Sequence, residues 1–106
     1  MAKYLIHGNY VGDGVQGLLK EGGSSRRAAI EKLANSLGGS VESIYYAFGE
    51  SDVYVIVDMP DHASMTAFAL VGSASGAVTI KTTVLMTPEE VDDAVKKNPE
   101  YRPPGQ

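Results

Sequence analysis

The 106-residue chain contains no cysteine, only two histidines and no long apolar run. Without a thiol there is no disulfide framework, no thiolate nucleophile and no cysteine-ligated metal, a usage that fits a reducing compartment. No segment approaches the roughly 18 consecutive apolar residues that a membrane helix needs. The opening MAKYLIHGNY lacks the charged-then-apolar layout of a secretory signal. A soluble, cytoplasmic protein is the expectation. Basic residues are scarce too: nine Lys and Arg stand against thirteen Asp and Glu, giving a net charge of −4. Only Arg26-Arg27 and Lys96-Lys97 are adjacent, so no basic stripe exists to displace counterions from a nucleic acid backbone. His7 and His62 fall in different segments with no carboxylates at ligand spacing around them. Neither a metal nor a cofactor is expected, and neither a nucleic acid nor a membrane is an expected partner.

The length suits one domain able to bury a core without staples, which we place at residues 1–97, followed by a flexible tail, 98–106, with three of the five prolines. Residues 3–10 read as a strand closed by Val11-Gly12-Asp13-Gly14. Val15, Leu18 and Leu19, then Ala29, Ile30, Leu33 and Leu37, follow helical spacing on either side of Gly22-Gly23. This allows one long helix with a weak point at Gly22-Gly23 or, as we favour, a short helix and a longer one, the second capped at Ser24 or Ser25; Gly38-Gly39 stop it. Residues 41–48 and 52–58 read as a hairpin joined by Gly49-Glu50-Ser51. Asp61 is placed to cap a helix that carries Ala63, Ala67, Leu70, Val71 and Ala74 and ends at Ser75-Gly76. Residues 77–86 are a β-branched strand. Thr87-Pro88-Glu89-Glu90 opens a last helix with cap, first-turn proline and acids at the positive end of the dipole.

The order β α β β α β plus a terminal helix predicts an α+β, ferredoxin-like domain. Two right-handed crossovers put both main helices on one face of a four-stranded antiparallel sheet. The other face has no cover. Whichever register holds, one set from Val41, Tyr45, Ala47 or Ile44, Tyr46, Phe48 points away from the helices, as does one set from Val53, Val55, Val57 or Tyr54, Ile56. A patch of that kind predicts burial against a second copy, as a homodimer or higher homo-oligomer.

Three motif matches fail on context. GDGVQG at 12–17 spells G-x-G-x-x-G after a strand, but the ribose-binding acid expected some 20 residues on would be Glu31, inside a helix, and the sheet that follows is antiparallel. GSASG at 72–76 has Ala74 at its centre and leads from helix to strand, the reverse of a nucleophile elbow. An RNA-recognition domain shares the element order, but its third strand carries basic and aromatic residues, whereas residues 52–58 hold one aromatic between acids.

YAFGESDVYVIVD, read beside MAKYLIHGNY, SLGG, MPDHASMTA and SASGAVTIKTTVLMTPEEV, resembles the GYD domain family across residues 3–95. Gly49 and Asp52 match the Gly-Tyr-Asp signature; Ser51 stands where the family's Tyr is expected. The resemblance implies a small protein of bacterial or archaeal type without assigned activity. Its fold would be similar to dimeric α/β barrels, in which two sheets face each other and any site lies at the open sheet face. Members of that wider group include cofactor-free monooxygenases, isomerases, haem proteins and ligand-sensing domains, so the fold does not choose a function.

Two readings follow. In the first the chain is a self-associating module for assembly or for binding a small ligand. In the second it is a cofactor-free oxygenase or isomerase acting on an aromatic or enolisable metabolite. For proton handling the candidates are His7, mid-strand beside Leu5 and Asn9, one phenol of the pair Tyr45 and Tyr46, and the acid Asp52. Each has a plain alternative: a hydrogen-bonded sheet histidine, packing tyrosines, and a carboxylate that takes backbone N–H groups of its turn. For ligand binding, Arg26 and Arg27 have guanidinium geometry suited to carboxylate or phosphate, unless they are paired on the surface. Lys81, alone in VTIKTTV, must pair, reach solvent or meet an anion, and Asp58 is its candidate partner.

Overall fold

A computed structural model describes residues 1–106. The chain runs β1 (Ala2–Tyr10), α1 (Asp13–Glu21), α2 (Gly23–Ser36), β2 (Ser40–Tyr46), β3 (Val53–Met59), α3 (His62–Ala74), β4 (Val78–Leu85) and α4 (Pro88–Lys96). The four strands form one antiparallel sheet in the order β2-β3-β1-β4, the ferredoxin-like arrangement expected from the element order.

Side-chain alternation sorts each central strand into two sets. Tyr4, Ile6 and Tyr10 of β1 and Val53, Val55, Val57 and Met59 of β3 are buried against Ala34 of α2 and Met65 and Phe68 of α3. Lys3, Leu5, His7 and Asn9, with Tyr54, Ile56 and Asp58, point the other way and are only partly buried. Val57 and Met59 have no accessible surface, which places the centre of the core under β3.

The two-helix reading of residues 13–36 holds, but its cap does not. Gly22, at φ 81°, ends α1 and is itself the N-cap of α2, so neither Ser24 nor Ser25 caps it. An abrupt turn through that conformation is cheap only for glycine, and it brings Gly23 against the ring of Tyr46. The other caps match their sequence signals. Asp61 accepts from the Ser64 amide at 2.7 Å, a bond that lowers its carboxyl below the usual range. Thr87 and Glu90 form a reciprocal capping box.

Two expectations fail at β2. The strand ends at Tyr46, so Ala47 and Phe48 belong to the connection, with Phe48 fully exposed. Strict alternation also breaks: the pairing with β3 shifts between Val41 and Ser43. The irregularity lets both Val41 and Ile44 pack toward the core, which a regular strand would forbid. The uncovered face is therefore mixed rather than apolar. Finally, α4 buries none of its residues, and Val91 and Val95 remain exposed. No helix of the chain is long and apolar enough to cross a membrane.

Candidate functional site

Directly opposed residues on neighbouring strands share a face. The register therefore lines up one row across all four strands of the open face: Tyr45, Tyr54, His7 and Lys81. The next row is Ser43, Ile56, Leu5 and Thr83. Beyond it Lys3 pairs with Asp58 at 3.0 Å and with Glu42, an ion cluster that raises the Lys3 ammonium above its usual range through its bonds to Glu42 and then Asp58. Asp58 is thus held by Lys3 and not by Lys81, correcting the expected pairing. Lys81 lies across the sheet beside His7, two rows away.

His7 is fixed from two sides. Its ring stacks on Tyr54, with centroids 5.7 Å apart and planes 15° from parallel. Its Nδ1 lies 3.0 Å from Oγ of Ser51, a residue of which only 5% is accessible. With Nδ1 as acceptor the hydroxyl proton is directed at the ring and Nε2–H faces outward; the opposite tautomer reverses these roles. His7, Asn9, Glu50, Ser51 and Lys81 line a polar concavity of about 190 Å³ at this end of the sheet. An imidazole, a hydroxyl, an ammonium and a carboxylate in one recess can exchange a proton with a small polar guest and pair with charge of either sign. Sequence reasoning found His7 and Lys81 but passed over the Ser51 hydroxyl. The one signal was its place in the Gly-Tyr-Asp signature.

The remaining candidates lie elsewhere. Tyr45 is on the open face but largely exposed; Tyr46 points to the helices, its hydroxyl donating to the Gly23 carbonyl at 3.0 Å. Arg26 is near Glu21 at 3.6 Å and Arg27 near Glu31 at 4.0 Å, so the two guanidiniums are engaged separately along the helices. Asp52 Oδ2 accepts the Tyr10 amide at 3.0 Å. The Asp52 amide is shared between the Gly8 carbonyl at 2.8 Å and Asn9 Oδ1 at 3.1 Å. Its side chain therefore ties the hairpin to β1 rather than closing a local turn.

Burial, and after it the neighbouring Tyr10 hydroxyl, hold the Tyr46 phenol above its ordinary value of 10.0, against the pull of the Arg26 and Arg27 guanidiniums. The folded state thus favours the protonated phenol. On alkaline titration the unfolded chain loses this proton first, and stability falls as pH rises through about 10. Tyr46→Phe is expected to cost about 1 kcal/mol or less at neutral pH, for one part-exposed hydrogen bond. The stability gap between variant and wild type should narrow as pH rises above about 10. Urea denaturation at stepped pH measures both, and curves that stay parallel would contradict the assignment.

The sheet order, helices on one face and a polar recess on the other define a ferredoxin-like α+β domain with an uncovered sheet. The chain belongs to the GYD domain family, whose model matches residues 4–95. No curated protein matches it. A crystal structure of a protein of unknown function from Nitrosomonas europaea is similar at 20% identity, over 81% of this chain and 90% of that one, with a TM-score of 0.44.

Proposed function

We propose that the chain is a self-associating module that pairs with a second copy through its open sheet face and serves in assembly or in holding a small ligand at that junction. One observation carries the reading. The Leu5, Tyr54 and Ile56 side chains lie on a face that no element of the chain covers, while α4, which could have folded over it, stands clear with Val91 and Val95 exposed. A nine-residue helix is short for stability in water alone, and packing against a second copy would account for both surfaces. The polar frame around the apolar strip, Lys3, Glu42 and Asp58 on one side and Lys81 on the other, suits the rim of an interface.

The enzymatic reading is favoured by the His7–Ser51 contact alone. Against it, a recess of about 190 Å³ falls short of the roughly 300–1,000 Å³ of ordinary small-molecule sites. Sedimentation velocity at micromolar concentration tests association. A species of twice the 11.2 kDa chain mass or more is expected, and Ile56→Glu, which places a charge at the centre of the open face, should return it to monomer. A wild type that sediments as a monomer throughout would refute the proposal.

A further inference from the structure

We infer that the chain carries a second binding site, on the helix side of the sheet, for a small neutral aromatic molecule bearing one N–H or O–H donor. The site is independent of self-association, since it lies across the sheet from the His7 row. It is a cavity of about 410 Å³ between the start of the helical layer and the β2–β3 connection, walled by Tyr10, Val15, Leu18, Tyr46, Phe48 and Asp52. That volume is within the range of small-molecule sites, and a mostly apolar wall with a few convergent polar groups is their usual composition.

The wall itself selects the ligand. Three aromatic rings contribute to it, and one, Phe48, is fully exposed to water at its edge. A ligand ring seated there would bury apolar surface that the fold leaves wet. The Tyr46 hydroxyl has committed its proton to the Gly23 carbonyl. Asp52 uses Oδ2 for the Tyr10 amide, leaving Oδ1 to accept a further donor. The Tyr10 hydroxyl beside that of Tyr46 can donate or accept, whereas Asp52 Oδ1 can only accept, so a ligand gains by bringing a donor to that oxygen. An anion would meet the Asp52 carboxylate, and a cation would give up its hydration to a wall that is otherwise mostly apolar. A neutral molecule avoids both.

Indole, neutral and with one N–H, is a direct probe, and 1-methylindole is its partner without the donor. Titrated into isotope-labelled protein, indole should cause saturable amide shifts at Val15, Leu18, Ala47 and Asp52. 1-Methylindole should bind about tenfold more weakly, the loss of one hydrogen bond to a charged acceptor. Phe48→Ala, at a fully exposed position where folding is not at stake, should weaken indole severalfold, and Val15→Trp should block it by filling the cavity. The inference is overturned by non-saturable shifts, by equal affinity for the two probes, or by shifts that cluster at His7 and Ser51 instead. Running the titration on Ile56→Glu as well separates this site from the proposed association: the inference expects unchanged indole affinity there, and loss of binding would overturn its independence.

Discussion

Gly14→Ala is expected to lower the unfolding free energy by about 3 kcal/mol, whereas Gly17→Ala, three residues on, should raise it by roughly 0.5–1 kcal/mol. A methyl at position 14 would lie 2.0 Å from the Ala77 carbonyl oxygen and 2.8 Å from its carbon. That carbonyl has little freedom to retreat, because it accepts the Val11 amide at 2.9 Å. The turn leading into α1 and the residue before β4 are thus in backbone contact, and only a residue without Cβ allows it. At Gly17 nothing lies within 4 Å of the added carbon, so alanine gains helix propensity without a clash. The same contrast explains why GDGVQG is not a phosphate loop. Gly12 adopts φ 53°, Gly14 permits a close approach and Gly17 is dispensable, whereas a dinucleotide fingerprint needs its third glycine for helix–strand packing. Urea denaturation of the two variants decides the matter, and equal losses would show that the tight approach at Gly14 is not what holds the segments together.

The second large effect is at Asp52. Asp52→Ala removes the acceptor of the Tyr10 amide, and Tyr10 is only 8% accessible, so an unpaired buried donor should cost about 1–3 kcal/mol. Asp52→Asn keeps a side-chain oxygen and should cost about 1 kcal/mol or less. The main-chain bonds of Asp52, from its amide to Gly8 and from the Ala47 amide to its carbonyl at 2.9 Å, are common to both variants. The difference between the two therefore reports the side-chain acceptor oxygen alone. If both losses prove negligible, Asp52 has no structural role, and its position in the wall of the helix-side cavity becomes its main one.

Asp52 also marks the boundary of what could be read from the chain. An aspartate after a glycine-containing turn announces that its carboxylate will take a backbone N–H, because short polar side chains compete for such donors. The donor belongs to Tyr10, 42 residues earlier, and becomes its neighbour only because β1 is inserted between β3 and β4 in the sheet. Lys81 repeats the lesson. A lone mid-strand cation needs company, and Asp58 was a reasonable partner by type. The antiparallel register puts Asp58 opposite Lys3 and Lys81 opposite His7.

Period-2 alternation in β1 and β3, helical spacing in α1 to α3, and the cap residues Asp61 and Thr87 are local properties, set by which side chains a strand or helix turn can accommodate. They were enough to place every element and, with the right-handed crossover rule, the sheet topology. Alternation divides a strand into two sets without saying which set is buried. The choice depends on where the helices land and on register, and a single irregularity between Val41 and Ser43 moved Val41 and Ile44 onto the same side. The gathering of His7, Ser51 and Lys81, the Tyr45–Tyr54–His7–Lys81 row and the cavity between Tyr46 and Asp52 all join segments distant in the chain. Such groupings carry no local signature, because they exist only once the core has formed: the His7 row lies across the sheet from that core and adds little to it, and the helix-side cavity lies at its margin, where Tyr10 and Leu18 belong to both.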